Sequence, residues 1–266
     1  MNQSTVIGLL CGVVLLIGMV VMSPDHIGAF FNFPGLIVVI GGTLAATFVS
    51  RPIHEVYLVL RNLPELFRDE KNHTNTDITH LLRFATSYRS HNLRAAENVV
   101  DTIRNPFLQA GLRQVIDGCP LEDLTKSLQW RMSALRSREY SQTHILNTMA
   151  VYAPAFGMLG TLFGLVHMLS GLGDSGLNEI GSTMAFAMMT TVYGIIASNL
   201  FFKPLAIKME RRTNHRLMQM NTLMEGMLQV FQKRHPILIK ETLEAMGANH
   251  PASPPLRNHL TVVKTH

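Results

Sequence analysis

Four stretches of the chain are apolar and contain no charged residue, and this pattern sets the predicted architecture. Asp, Glu, Lys and Arg are absent from residues 6–22, 30–49, 150–172 and 183–202. Each stretch is close to the roughly 17–25 residues that a helix needs to cross a bilayer. The pattern predicts an all-α polytopic membrane protein with four transmembrane helices. The first stretch is expected to be a retained helix, because "MNQST" lacks the positive charge of a secretory signal.

The rest of the chain is predicted to form helices outside the membrane. Apolar residues recur every three or four positions between the second and third stretches and again after the fourth, which is typical of amphipathic helices. The end of the chain is Pro-rich and lacks periodicity, as in disordered segments. The predicted divisions are transmembrane helices 1 and 2 (residues 1–50), a cytoplasmic helical domain (51–147), transmembrane helices 3 and 4 (148–204), cytoplasmic C-terminal helices (205–246) and a disordered tail (247–266).

The basic residues predict the orientation in the membrane. All 23 Lys and Arg residues lie in residues 51–138 and 203–264, whereas the short connections 23–30 and 171–182 carry acids and no bases. Cytoplasmic loops are enriched in Lys and Arg, so the two basic segments and both termini are predicted to be cytoplasmic. This topology accounts for the net charge of +5. No nucleic-acid partner is predicted, because the basic residues form no recognised nucleic-acid-binding module.

Small and hydroxyl-bearing residues form stripes on the third and fourth predicted spans. Stripes of this kind allow helices to pack closely, and the predicted packing residues are Gly157, Gly160, Gly164 and Gly194. Thr161, Thr190 and Thr191 belong to the same stripes. Two interpretations of these threonines remain open: they serve helix packing, or their oxygens line the path of an ion.

The spans contain no ionisable carboxylate, and this absence bears on both transport and catalysis. A cation path through hydrocarbon normally needs an ionisable group, because an unpaired ion is costly to desolvate. If the protein conducts cations, the carboxylate is therefore expected from another subunit. Neither a G-x-S-x-G motif nor a paired Asp is present, so an enzyme is not predicted. The two cysteines and twelve histidines lack metal-site spacing, so neither a fixed metal site nor a cofactor is predicted.

The third and fourth spans carry a family resemblance. "APAFGMLGTLFGLVHML" and "AMMTTVYGIIASNLFFKP" closely resemble the corresponding spans of flagellar motor stator A subunits, the MotA/PomA family. The four-span layout and the large cytoplasmic insertion match as well, over about residues 1–245. The resemblance implies a multi-pass protein of the bacterial inner membrane that forms a homo-oligomer, a pentamer in this family. It also implies a single-span, peptidoglycan-anchored B subunit that carries the ion-binding Asp.

The resemblance further implies roles for individual residues. In the family, an Arg and a Glu eight positions later act on charged rotor residues, and "YRSHNLRAAE" places Arg89 and Glu97 at that spacing. Arg94 is an alternative for the basic position. The two functional prolines of the family correspond to Pro154, entering the third span, and Pro204, leaving the fourth.

The threonines bear on the transported ion. Sodium-driven members of the family are similar to this chain in having a Thr in the third span and a Thr-Thr pair in the fourth. These correspond to Thr161, Thr190 and Thr191, so Na⁺ is favoured over H⁺. The alternative is an ion-driven energiser of outer-membrane processes of the ExbB/TolQ type. Such proteins typically have three spans, and the additional N-terminal hairpin predicted here argues against that assignment.

Overall fold

The fold is described by a computed structural model for residues 31–64, 74–90, 92–171 and 177–248, with seven further positions between 7 and 18. All regular structure in these ranges is helical, which confirms the all-α prediction. The elements are α1 (Phe33–Ser50), α2 (Ile53–Asn62), α3 (Thr74–Arg89), α4 (Leu93–Thr102), α5 (Pro106–Ile116), α6 (Leu121–Ser170), α7 (Leu177–Ile196), a π-helical segment (Ala197–Phe202), α8 (Lys203–Phe231) and α9 (Pro236–Ala248).

Three helices in the described ranges are long and apolar enough to cross a membrane: Phe33–Ser50, Leu121–Ser170 and Ile180–Phe231. They correspond to the second, third and fourth predicted spans. Most of the first predicted span, residues 6–22, lies outside the described residues, and its seven described positions are helical. The predicted tail, residues 247–266, also lies outside them apart from the last two residues of α9.

Helix α6 is continuous across a predicted domain boundary. It has 50 residues and is about 75 Å long at a rise of 1.5 Å per residue. The predicted boundary between residues 147 and 148 therefore falls within an unbroken helix, because no Gly or Pro separates the polar part from the apolar part there. Pro154 lies inside this helix and not in a first turn, where proline is best tolerated.

The chain forms two compact units, of which the first comprises residues 1–71 and 133–216. Within it, α1 and α7 are joined by the Asn32 N–H, which donates to the Tyr193 hydroxyl oxygen at 2.9 Å. The Asn32 side chain caps α1 by accepting a hydrogen bond from the Gly35 N–H at 3.1 Å. The buried hydroxyls of Thr43 and Thr47 donate to carbonyls four residues earlier in α1. These polar groups of α1 are therefore satisfied without water.

Helix α2 belongs to the first unit, although the sequence placed it with the cytoplasmic helical domain of residues 51–147. Val56 and Val59 of α2 are buried in a cluster with five residues of α6 and α8: Ile145, Leu146, Met149, Ala206 and Met209. An amphipathic pattern shows that a helix has an apolar face, but it does not show which helix covers that face.

The second unit comprises residues 72–132 and 217–266. It has an apolar core to which α3, α5, the start of α6, the end of α8 and α9 each contribute a fully buried side chain: Phe84, Leu112, Leu128, Met227 and Ile239. Helix α4 adds Ala96 and Val100. The second unit therefore has a hydrophobic core of its own.

Candidate functional site

Helices α6 and α7 approach each other closely enough for their backbones to touch. A methyl group added at Gly194 would lie 2.6 Å from the carbonyl oxygen of Ala153. One added at Gly157 would lie 2.9 Å from the carbonyl oxygen of Thr190. Real Cβ atoms essentially never come so near to another heavy atom, and a backbone carbonyl cannot rotate away as a side chain does. Only glycine therefore fits at these two positions in this packing.

The same contact continues along α6 towards its C-terminal end. A methyl group at Gly160 would lie 2.8 Å from the side chain of Thr190, and one at Gly164 would lie 2.7 Å from the Cβ of Ala187. The four glycines that the sequence pattern selected for helix packing thus all lie where α6 meets α7. Close approach through small residues is the usual way for helices to associate in a bilayer, where no hydrophobic force draws them together.

Two of the three predicted ion-path threonines meet at the edge of this contact. The hydroxyl oxygens of Thr161 and Thr191 are 2.8 Å apart. The carbonyl oxygen of Gly157 lies 3.0 Å from the Thr161 hydroxyl and 3.4 Å from the Thr191 hydroxyl. Both threonines are half-buried, so the pair remains accessible from one side.

The threonine pair retains capacity to accept further contacts. Each hydroxyl carries one hydrogen and two lone pairs. One hydrogen joins the two hydroxyls, and the other is donated to the carbonyl of Gly157, so most lone pairs stay unused. Oxygen atoms are the ligands that hard cations prefer. Chemically, the Thr161–Thr191 pair can supply part of the coordination of a small cation.

Thr190 occupies a different environment from its neighbour. Its side chain is 0% exposed, and its hydroxyl donates to the carbonyl of Ala187 at 2.7 Å. Its methyl carbon lies against Gly35 of α1, 3.1 Å from the place of an added methyl group there. Successive helix positions differ by about 100°, which turns Thr190 towards α1 and Thr191 towards Thr161.

A side chain from the π-helical segment compensates for Pro154. Proline has no N–H, so Pro154 cannot donate to the carbonyl of Ala150 one turn earlier. The hydroxyl of Ser198 donates to that carbonyl instead, at 2.6 Å. Ser198 is 5% exposed, so the bond is made away from solvent. The kink-prone position in α6 is therefore tied to the segment that follows α7.

The π-helical segment lies directly before Pro204, the second proline that the sequence singled out. The Lys203 N–H donates to the carbonyl of Ser198, five residues earlier, which is the π-helical pattern. Pro204 lacks the N–H that would bond to the Leu200 carbonyl in an α-helix. The widened turn covers the residues whose α-helical hydrogen bonding this proline disrupts.

The predicted rotor-facing residues lie in the second unit, around the turn between α3 and α4. Arg89 ends α3, and Arg94 and Glu97 lie in the first half of α4. Asn92 caps α4 by accepting a hydrogen bond from the Ala95 N–H at 3.1 Å. The side chains of Arg89, Arg94 and Glu97 are all exposed. This geometry keeps the three charges available to a partner and does not distinguish between the two arginines.

The described residues contain no cluster of three or more His, Cys, Asp or Glu side chains that could hold a metal ion. The threonine pair and the Gly157 carbonyl offer neutral oxygen atoms only.

Comparison with known proteins identifies the family. Residues 65–222 match the sequence profile of the MotA/TolQ/ExbB proton channel family. The chain belongs to this family. "Motility protein A" of Treponema pallidum (strain Nichols) is 28% identical over 243 residues, which cover 91% of this chain and 93% of that protein. "Chemotaxis protein PomA" of Vibrio alginolyticus is 28% identical over 244 residues, which cover 92% of this chain and 94% of that protein.

Solved structures of MotA/TolQ/ExbB members extend the comparison to three dimensions. The flagellar MotAB stator complex from Bacillus subtilis matches with a TM-score of 0.81 and 26% identity, over 91% of this chain and 94% of that chain. C. jejuni MotAB matches with a TM-score of 0.83 over 97% of this chain and 100% of that chain, and at 19% identity it shows the fold alone. The resemblance to flagellar stator A subunits that the sequence indicated is confirmed.

One feature of this MotA/TolQ/ExbB member was only partly visible in its sequence. Ser198 is recognisable as a member of the small-residue stripe in the fourth span, but its bond to Ala150 joins residues 48 positions apart. The available signal was chemical: a proline inside a transmembrane helix leaves a carbonyl that needs another donor. Serine and threonine on a neighbouring helix are the residues to examine for that role.

The Ser198 bond leads to a stability prediction. Ser198→Ala should lower the free energy of unfolding by about 1–3 kcal/mol, because it leaves a buried carbonyl without its donor. In a Pro154→Ala background the same substitution should cost less than half as much, since residue 154 then carries an N–H that can bond to the Ala150 carbonyl. Thermal unfolding of the wild type, the two single variants and the double variant measures this difference.

Ser170→Ala is a matched control, because that exposed hydroxyl donates to the His167 carbonyl of its own helix, at 2.8 Å. We expect it to change the midpoint of unfolding little in either background. An equal cost of Ser198→Ala with and without Pro154 would contradict the compensating role of the hydroxyl.

Proposed function

We propose that this protein is an ion-conducting stator subunit of a bacterial flagellar motor. The observation that carries the proposal is the half-exposed Thr161–Thr191 hydroxyl pair, which lies where the charge-free stretches 150–172 and 183–202 of two glycine-packed helices meet. The similarity to motility protein A and PomA, and to structures of MotAB stator complexes, supports the motor assignment. The proposed protein transports a cation and does not catalyse a covalent reaction.

A complete ion path requires a second kind of subunit. The apolar stretches 30–49, 150–172 and 183–202 contain no carboxylate, and a cation in a low-dielectric path needs a compensating negative charge. The solved relatives are complexes of an A-type chain with a B-type chain. We propose that this chain forms a pentamer around two copies of a single-span, peptidoglycan-anchored B subunit whose Asp supplies the charge.

The proposed setting is the bacterial inner membrane. Four transmembrane helices with both termini in the cytoplasm agree with the placement of all 23 Lys and Arg residues in two segments on one side. The three spanning helices found in the described residues account for the second to fourth of them. Residues 51–147 then form the cytoplasmic domain, followed by the C-terminal helices 205–246 and the tail 247–266.

The mechanism follows from these positions. A cation carried by the partner's carboxylate passes the Thr161–Thr191 pair, which offers oxygen lone pairs in place of lost water. Hard oxygen ligands favour Na⁺ as the transported ion. Passage of the charge changes the packing of α6, which contains Pro154, and of the start of α8, which contains Pro204. Both prolines interrupt the regular hydrogen bonds of their helices. Movement of α6 and α8 then presents the charges of Arg89 or Arg94 and Glu97 to the rotor.

Deletion of the gene tests the motor assignment directly. In a host without another stator, the deletion strain should assemble normal filaments but fail to swim, because torque and not assembly is lost. Re-expression should restore swimming, and replacing Na⁺ with K⁺ at constant ionic strength should then stop it. Swimming speed and filament staining measure the two outcomes separately.

Three other outcomes would each contradict a different part of the proposal. Unchanged swimming after deletion would contradict the stator function. Loss of an outer-membrane uptake process with motility intact would indicate the ExbB/TolQ type of function. Swimming that persists without Na⁺ but stops when the proton gradient is collapsed would make H⁺ the transported ion and leave the stator function intact.

Charge reversal at Glu97 tests contact with the rotor. Glu97→Lys should reduce swimming speed by more than half while ion flux through the complex stays at the wild-type level, because the residue is exposed and lies in the second unit. Glu241→Lys is a matched control, since Glu241 is also exposed and lies on α9 of the same unit. Equal loss of flux and swimming in Glu97→Lys would contradict a rotor-facing role.

Separate Arg89→Glu and Arg94→Glu variants then show which arginine acts with Glu97.

A further inference from the structure

Asn199 is a polar residue that neither the threonine pair nor the glycine contact uses. It lies in the π-helical segment, within the charge-free stretch 183–202, and its side chain is exposed. Its neighbour Ser198 is buried and bonded to the Ala150 carbonyl, whereas the Asn199 amide forms no hydrogen bond with another described residue. An amide that faces hydrocarbon without a partner is costly. The position of Asn199 therefore suits contact with water or an ion better than contact with lipid tails.

Asn199 continues the face of α7 that carries Thr191. Positions 188, 191, 195 and 199 are separated by three or four residues, which places them on one side of a helix. Met188, Ile195 and Asn199 are exposed and Thr191 is half-buried. Asn199 follows Thr191 by eight residues, or about 12 Å along the helix axis. A cation that leaves the threonine pair along this face therefore meets Asn199 as the next oxygen-bearing side chain.

The π-helical segment also releases the main-chain carbonyl of Asn199. In an α-helix this carbonyl accepts a hydrogen bond from the N–H of residue 203. Here the Lys203 N–H donates to the Ser198 carbonyl instead, and the next residue, Pro204, has no N–H to donate. The Asn199 carbonyl has therefore lost its α-helical donor, and it points towards the C-terminal end of the helix, as helix carbonyls do. Single π-helical turns of this kind are frequent at functional sites.

We propose that Asn199 is a second cation-binding position, at the cytoplasmic end of the ion path. The inference rests on the proposed function and on the orientation predicted from the basic residues, which places Lys203 on the cytoplasmic side. The side-chain and main-chain carbonyls of Asn199 are neutral oxygen ligands, which hard cations such as Na⁺ accept.

The lack of a carboxylate at this position agrees with a role in release. Conduction requires each binding position to be weak enough for the ion to leave it. A position made of neutral oxygens replaces part of the water that the ion has lost, and it does not retain the ion as a buried carboxylate would. Asn199 thus lowers the barrier between the threonine pair and the cytoplasm.

A position at the cytoplasmic end is filled from the cytoplasm, and this property provides the test. Inside-out vesicles that contain the assembled complex are loaded with labelled Na⁺. Efflux of the label is measured while unlabelled Na⁺ replaces choline on the outer, cytoplasmic face. Asn199→Leu removes the amide at nearly constant size, so the Na⁺ concentration for half-inhibition should rise at least ~10-fold, as expected for loss of an oxygen contact with a charged group. Asn199→Asp keeps an oxygen and adds a negative charge, so the same concentration should fall.

Ser50→Asp is the matched control for the added charge. Ser50 is exposed at the cytoplasmic end of α1, and its hydroxyl donates to the Ala46 carbonyl of its own helix at 2.9 Å. This variant adds a carboxylate at a similar depth but away from the Thr191 face, and its half-inhibiting concentration should stay near the wild-type value. Thermal unfolding of each variant shows whether the fold is retained. If Asn199→Leu does not assemble, the comparison of Asn199→Asp with Ser50→Asp decides.

The outcomes separate this position from the stator function. Shifts in the same direction in Asn199→Leu and Asn199→Asp, equal shifts in Asn199→Asp and Ser50→Asp, or no shift in either Asn199 variant would overturn the proposal. Na⁺ efflux from wild-type vesicles would still support the proposed function in each of these cases. Efflux of H⁺ without Na⁺ would overturn the Na⁺ position at Asn199 and leave the stator function intact. A wild-type complex that releases neither ion would contradict the proposed function and this position together.

Discussion

Gly194→Val should destabilise the protein and abolish swimming, because it separates α6 from α7. The first added carbon already lies 2.6 Å from the Ala153 carbonyl oxygen and 3.2 Å from the Cα atoms of Gly157 and Pro154. The obstruction is backbone, so no side-chain rotation relieves it. Forced overpacking typically costs 1–3 kcal/mol, and a cost of about 3 kcal/mol corresponds to a fall of about 10 °C in the midpoint of unfolding for a protein of this size.

Gly181→Val supplies the control for this experiment. Gly181 lies on the same helix, and a methyl group added there meets no atom within 4 Å. It therefore reproduces the replacement of glycine by valine in α7 without the contact, and it should leave swimming and the midpoint of unfolding nearly unchanged. Gly194→Ala should show an intermediate loss. Equal effects of Gly181→Val and Gly194→Val would attribute the loss to helix propensity and would contradict the role of close packing.

Thr161→Val should reduce cation flux at least ~10-fold while leaving the fold intact. Valine has nearly the same shape but lacks the oxygen that lies 2.8 Å from the Thr191 hydroxyl. A hydrogen-bonding or coordinating contact with a charged group is worth about 1.5–3 kcal/mol, or roughly 10–100-fold in rate. Thr191→Val should have a similar effect, and the double variant should add little because the two oxygens act together. Flux into vesicles that contain the assembled complex measures the change.

Thr43→Val is the matched control for loss of a hydroxyl within a span. The Thr43 hydroxyl is fully buried and donates to the Val39 carbonyl of its own helix at 2.6 Å, so its removal should leave flux unchanged. Thr190→Val tests whether a neighbouring threonine that does not contact Thr161 through its hydroxyl affects stability and not flux. Because Thr190 is buried against α1 and bonded to the Ala187 carbonyl, it should affect stability more than flux. A loss of flux in Thr190→Val that exceeds the loss in Thr161→Val would place the ion path elsewhere.

The helical periodicity of the sequence identified much of the α6–α7 contact. Gly157, Gly160 and Gly164 recur at three and four residues, and this spacing alone places them on one face. Gly194 belongs to a similar stripe of small residues on the fourth predicted span, so a contact between the two stripes could be expected. What the pattern lacks is the relative axial position of the two helices, which depends on the fit of particular atoms.

The two adjacent threonines of the fourth span show why composition could not assign individual roles. Thr190 and Thr191 are chemically identical, and either one could have paired with Thr161. Their different environments arise because Gly35 of α1 leaves room for the Thr190 methyl group. That contact involves a residue more than 150 positions away, and no local pattern encodes it.

Helix α6 illustrates a different limit of sequence reasoning. Hydropathy separates an apolar span from a polar region and predicts a boundary near residue 147. The backbone hydrogen bonds of a helix do not depend on whether its side chains are polar or apolar. The helix therefore continues through residue 147. A change from polar to apolar side chains is not a helix stop signal, and the segment between Pro120 and Pro154 contains neither Gly nor Pro.

The π-helical segment has a consequence for the register of the helices on either side of it. A π-helical turn holds about one residue more than an α-helical turn, so it behaves as a single-residue insertion in the helical period. The side chains of α8 therefore point about 100° away from the direction they would have if α7 continued into α8 as a regular α-helix. Removing one residue from Ala197–Phe202 would return α8 to the earlier phase and turn Ala206 and Met209 away from the cluster that buries them. The phase of α8 is thus set by six residues that precede it.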